Sequence, residues 1–151
     1  MPVQMIRADA ATLVQEPVWR TDLEKIYSEA EPSRRCLQGR ELDAEIFINT
    51  ALASADNWFA GALFNDHLVG AVLITVKDQQ WQLRHLCVRE VTRRRGVGSR
   101  LMTLVAAKAK EEGVLACVPD EGLTLADQVL VRRLGYTPAP EKGMFVFAPS
   151  C

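Results

Sequence analysis

No run of about 18 apolar residues occurs in this chain of 151, so nothing in it is expected to span a bilayer. Its first residues lack the basic stretch and apolar core of a secretory signal, and the expected location is the cytoplasm. Net charge is nearly absent as well. Eighteen Lys and Arg against nineteen Asp and Glu leave a formal charge of −1, which argues against a general nucleic-acid or membrane-surface binder. The four cysteines, Cys36, Cys87, Cys117 and Cys151, stand far apart, with no Cys-x-x-Cys pair and no histidine beside them. They predict free thiols in a reducing compartment and no metal-ligand cluster. What remains is an ordinary globular composition, 48% hydrophobic and 25% charged, long enough for one core and one domain over residues 1–151.

Apolar periodicity and turn residues lay out the elements. Residues 3–7 read as a strand. Thr21-Asp22-Leu23-Glu24 fits a capping box opening a helix with Leu23, Ile26 and Tyr27 on one face. The polar stretch 28–40, with Pro32 and Gly39, reads as a loop, and 42–53 as a helix whose apolar side carries Ile46, Ile48 and Leu52. Strands follow at 58–64, 67–77 and 81–88, joined by tight turns at Asn65-Asp66 and at residues 78–80. A helix over 99–112, with Leu101, Leu104 and Val105 inward, ends at Gly113. A strand at 114–118, a helix at 123–134 closed by Gly135, and a hairpin of 136–137 with 144–147 complete the chain. This order predicts an α+β fold: a mostly antiparallel mixed sheet of about seven strands, flanked by four helices, with one strand–helix–strand crossover.

That crossover carries the chain's concentrated charge. Arg89, Arg93, Arg94, Arg95 and Arg100 fall within residues 89–100, and the three consecutive arginines open onto Gly96-Val97-Gly98 at a helix start. Such an order of parts suits a diphosphate. Glycines let the backbone come close, successive N–H groups and the helix N-terminus face the anion, and arginines neutralise it. A Rossmann dinucleotide site is disfavoured, because Leu101 takes the third glycine's place and the loop follows an antiparallel meander. A P-loop is excluded by the missing Gly-Lys-Ser/Thr ending. Alternate side chains diverge in a tight loop, so Arg93 and Arg95 need not both touch phosphate.

The segment Arg93-Arg94-Arg95-Gly96-Val97-Gly98 resembles the Arg/Gln-x-x-Gly-x-Gly/Ala motif of the GCN5-related N-acetyltransferase superfamily, and the element order is similar over nearly the whole chain. The resemblance implies an acetyl-coenzyme A site. Its diphosphate would lie on Thr92, Arg93, Arg94, Arg95, Gly96, Val97, Gly98 and Ser99, and its pantetheine arm would pair with Leu86, Cys87 and Val88. Thr124 would either reach the pantetheine or cap its helix. A narrower resemblance, over residues 89–98, 22–27 and 60–72, is to the bacterial maturation factors of aspartate 1-decarboxylase. It implies an acetyl-coenzyme A sensor that binds the decarboxylase precursor and promotes its self-cleavage, so governing pantothenate and coenzyme A supply. The chain departs from that group in being longer between the first helix and second strand, and in its C-terminal tail.

Catalysis is the weaker implication. The superfamily usually places a tyrosine, the acid for the leaving thiolate, four residues before the glycine closing the last helix. Here that glycine is Gly135 and the position is Val131. Tyr136, after the glycine, falls where a structural aromatic is usual. Glu90 could act as a base or pair with the arginines, and His85 could be a base or occupy one side of the sheet. His67, beside a turn, reads as surface; Cys87 and Cys117 read as small buried residues. The missing tyrosine favours a sensor, with an acetyltransferase acting on a small-molecule or protein amine as the alternative.

Overall fold

Two-residue turns set the sheet. The computed structural model describes residues 2–147. Asn65 and Asp66 both adopt left-handed backbone (φ 49° and 65°), as do Asp78 and Gln79 (φ 51° and 61°). That geometry matches the twist of antiparallel strands. It joins β4 (Asn57–Phe64) to β5 (His67–Lys77), and β5 to β6 (Gln80–Val88). Strand β1 (Gln4–Ala8) pairs antiparallel with β4. On the far side, β7 (Leu115–Pro119) runs parallel to β6, and β8 (Tyr136–Ala139) and β9 (Met144–Phe147) close the order β1-β4-β5-β6-β7-β9-β8. The seven-stranded, mostly antiparallel sheet is the expected one.

Both faces are covered. Trp58, Ala60, Val72, Ile74, Trp81 and Leu83 point to one side, under α4 (Val97–Glu111) and α5 (Leu125–Arg133). Phe59, Leu68, Ala71, Leu73 and Cys87 point to the other, under α2 (Pro17–Ser28) and α3 (Ala44–Leu52). Burial on both faces is why these strands read as near-continuous apolar runs.

Four expectations are corrected. There are five α-helices among the described residues, because α1 (Ala10–Gln15) precedes α2; Asp9 caps it by accepting the Thr12 N–H at 2.9 Å. Helix α2 begins at Pro17, whose missing N–H costs nothing in a first turn, so Thr21 lies mid-helix and the Thr21–Glu24 capping box does not form. Helix α3 buries Phe47, Ile48 and Ala51 while Ile46 is half exposed, a rotation of the expected face. The expected loop at 28–40 contains a 3-10 turn (Pro32–Arg35) and a small hairpin, β2 (Cys36–Leu37) with β3 (Arg40–Glu41). Cys36, Cys87 and Cys117 are free thiols; Cys151 lies outside the described residues.

Candidate functional site

Strands β6 and β7 stay together for only three residue pairs, Gln80↔Leu115, Trp81↔Ala116 and Gln82↔Cys117. Beyond them β7 follows β9, β6 follows β5, and the two part. A bulge bends β6 where they separate: Leu73 faces Arg84 and Ala71 faces Cys87, so Val72 is opposed by two residues. His85 takes up the extra length with a left-handed backbone (φ 59°). Three groups hold it there. The Tyr27 hydroxyl donates to its carbonyl at 2.6 Å, the Phe47 ring meets its imidazole edge-on at 5.1 Å, and its Nδ1–H donates to the Arg34 carbonyl at 3.1 Å. Burial lowers its pKa to about 4, so the ring is neutral. At neutral pH such an imidazole is a weak base, and its role in the fold is to fix the bulge.

The parting leaves a cleft of about 290 Å³. One wall is the β6 edge, Leu86, Cys87 and Val88; the other is Ala30, Glu31 and Arg34 from the segment after α2, with Arg93 and Thr124 at its ends. Burial pushes the Cys87 thiol up to about 12, so it stays protonated and is no nucleophile. Deeper between the strands lies an apolar pocket of about 40 Å³ whose walls include Leu83, Met102, Leu130 and Val131.

At the outer end the chain turns through Glu90–Thr92, passes Arg94 (φ 67°) and Gly96 (φ 77°), and enters α4 at Val97. No side chain caps α4, and the first ladder bond runs from the Arg100 N–H to the Gly96 carbonyl at 2.9 Å. The N–H groups of Val97, Gly98 and Ser99 therefore have no partner in the helix. A Cβ on Gly96 would meet nothing within 4 Å; one on Gly98 would lie 3.5 Å from Val88 Cγ2, an ordinary contact. Gly96 is needed for its backbone angle, whereas at Gly98, beside Val88 and Leu86 of the β6 wall, the free protein has room for a Cβ.

The arginines divide into two sets. Arg89 Nε donates to Glu29 at 3.0 Å; Arg93 donates to the carbonyls of Val88 and Glu29, each at 3.3 Å. The same Glu29 carboxylate accepts the Glu90 N–H at 2.9 Å, and these bonds hold its pKa below the ordinary value. Arg94, Arg95 and Arg100 are exposed and make no ion pair among the described residues. The pairing considered for Glu90 thus belongs to Glu29, a residue sixty positions away with no local signal; Glu90 contributes its backbone. Thr92 is buried, its hydroxyl turned to the Arg89 carbonyl at 3.0 Å. Thr124 caps α5 in a reciprocal box with Asp127, at 3.1 and 3.2 Å, while also lining the cleft.

The chain's two tyrosines are both accounted for away from the cleft. Tyr27 is fully buried with its hydroxyl on His85, and Tyr136 is core, packed on Phe147 at 5.3 Å; burial raises both phenol pKa values. Val131 is 3% exposed. Among the described residues no group of three or more His, Cys, Asp or Glu could hold a metal, and no helix is long and apolar enough to cross a membrane.

Two parallel strands parting beside an Arg-rich, Gly-x-Gly helix start are the architecture of the GCN5-related N-acetyltransferases. Within it, the chain belongs to the family described as the acetyltransferase (GNAT) domain, PanZ, whose model matches residues 12–128. It is 38% identical over 84 residues to the PanD regulatory factor of Escherichia coli K12, covering 55% of this chain and 53% of that protein. To the PanD regulatory factor of Salmonella typhimurium it is 54% identical over 41 residues, 27% of this chain and 32% of that one. The chain thus spans about half, or less, of the length of these curated relatives. Among solved structures, YhhK of Escherichia coli, a candidate N-acetyl transferase determined by solution NMR with coenzyme A bound, matches with a TM-score of 0.58 and 26% identity, over 99% of this chain and 100% of its own.

Proposed function

We propose that this chain is an acetyl-coenzyme A-binding regulator, acting in the cytoplasm, that promotes self-cleavage of the aspartate 1-decarboxylase precursor and so sets pantothenate and coenzyme A supply. Family membership and the two PanD regulatory factors support the partner. The residues present fit the coenzyme: among the described residues the amides of Val97, Gly98 and Ser99 and the guanidinium groups of Arg94, Arg95 and Arg100 have no partner, and β7 leaves the β6 edge at Leu86, Cys87 and Val88 unpaired. In the bound state the loop would hold the diphosphate and the cleft the pantetheine, while the coenzyme would supply only an acyl thioester to be sensed.

The observation favouring a sensor over an acetyltransferase is the fate of the phenols. Val131 stands at the inner pocket, and neither tyrosine reaches the cleft to protonate a departing thiolate. His85 is neutral and engaged through Nδ1, and Glu90 is exposed without a side-chain partner among the described residues. The test is incubation with acetyl-coenzyme A and a broad panel of amines, following free thiol, beside calorimetry of the decarboxylase precursor with and without coenzyme. The reading expects no thiol above background and binding of the precursor only when acetyl-coenzyme A is present. Robust turnover would move the assignment to an acetyltransferase.

A further inference from the structure

Two neighbouring arginines in the 3-10 turn after α2 are used in different ways. Arg35 is committed to the backbone: Nε donates to the Leu42 carbonyl at 2.9 Å, and Nη1 donates to those of Tyr27 and Ala30 at 2.8 and 2.7 Å. It staples the segment that forms the outer wall of the cleft. Arg34 makes one side-chain bond among the described residues, from Nη2 to Asp127 Oδ1 at 3.1 Å, across the parted strands to the first turn of α5. Its Nε and Nη1 donors have no protein partner there.

Arg34 is nonetheless fixed from three sides. Its carbonyl accepts from His85, its neighbour Arg35 anchors the turn, and Asp127 is itself held by the Thr124 capping box. Its side chain is 32% exposed and that of Asp127 only 17%. Arg34 and Leu86 are the residues shared by the outer cleft and the inner apolar pocket. A ligand reaching from the arginine–glycine loop along β6 into that pocket would meet both. The pocket, about 40 Å³, has room for a group of only a few heavy atoms. A short acyl group has the matching chemistry, an apolar end joined to a carbonyl oxygen that can only accept. A free thiol at the same place offers little to a guanidinium donor.

We propose that Arg34, positioned by Asp127, is the specificity-determining residue that distinguishes acylated from free coenzyme A in this cleft. The inference rests on the coenzyme reading above and names how the site would read acylation state. Holding preset donors for one carbonyl is an economical means of discrimination, because their geometry is fixed before the ligand arrives.

Calorimetry of acetyl-coenzyme A and coenzyme A against the whole protein and two variants tests it. The unaltered protein should bind the acetylated form about tenfold or more tightly than the free thiol. Arg34→Met, which keeps an apolar stem without donors, should bring the two affinities within about twofold of each other by weakening only the acetylated form. Asp127→Asn, which can still serve the capping box, should lower the ratio part of the way. An undiminished ratio in Arg34→Met overturns the proposal. Should that variant lose coenzyme A as well, the Asp127→Asn ratio decides, and an unchanged value there overturns it. Equal affinities in the unaltered protein refute the Arg34 assignment alone; no binding of either coenzyme refutes the coenzyme reading itself.

Discussion

Protonating His85 should weaken the fold on the acid side of neutrality. In the unfolded chain this imidazole takes up its proton near the ordinary histidine value of 6.5, in the folded chain only near 4, because the β6 bulge buries it between Tyr27, Phe47 and Arg34. Between those values the unfolded state binds more protons, so stability falls as pH falls through the window and is intact above it. A gap of about two and a half pH units sets a ceiling of about 3 kcal/mol. Residual solvent contact of the ring trims the loss between about pH 7 and about pH 5 to about 1–2 kcal/mol. The carboxyls of Asp9 and Glu29, held below their ordinary values, lose their contributions only at lower pH. Urea unfolding at the two pH values measures the effect. With only two histidines in the chain, a His67→Gln background leaves His85 as the sole imidazole. The midpoint should drop on acidification in that background and hold nearly steady once His85→Gln is added. Equal drops in both would show that His85 is not the group buried uncharged, and would remove the reason for discounting it as a base.

The remaining predictions concern the loop and the core. Gly96→Ala should destabilise by about 1–2 kcal/mol by chemical denaturation, because φ 77° disfavours a Cβ even in open space. Gly98→Asp should leave the free protein as stable as before, since an acid suits the first turn of α4, yet lower coenzyme affinity about tenfold or more by calorimetry. Arg95→Ala should also weaken coenzyme binding about tenfold at low salt, with a smaller effect as salt screens the exposed charge. Leu101→Ala, at a side chain with no exposure beneath α4, should cost about 2–5 kcal/mol in global stability.

The sheet was legible in the sequence because its signals are local. Asn65-Asp66 and the polar residues 78–80 announce turns, the second of which the structure narrows to Asp78-Gln79, and the short Val-, Ile- and Leu-rich runs they bound read as strands. The same holds for the loop, where three arginines and Gly-x-Gly occupy one short stretch. The start of α2 is obscured in the sequence because Thr21 and Glu24 have the right spacing for a capping box, while Pro17 carries a stronger first-turn preference four residues earlier. The buried face of α3 is ambiguous in the sequence because Ile46 and Phe47 are adjacent and both apolar; only packing against Tyr27 and Phe59 decides which is buried. The far wall of the cleft was not legible at all. Glu29 meets Arg89 and Arg34 meets Asp127 across separations of 60 and 93 residues, contacts that depend on how the strands part and carry no local pattern. The strained backbone at His85 is likewise a product of the bulge, invisible in a run that reads as regular strand.

If this protein holds acetyl-coenzyme A in order to act on a decarboxylase precursor, as we propose, the decisive quantity is the rate at which purified aspartate 1-decarboxylase precursor cleaves itself. That rate should rise when this protein and acetyl-coenzyme A are supplied together and stay at background with either alone. An unchanged rate with both present, under conditions where calorimetry shows the coenzyme bound, would contradict the proposal.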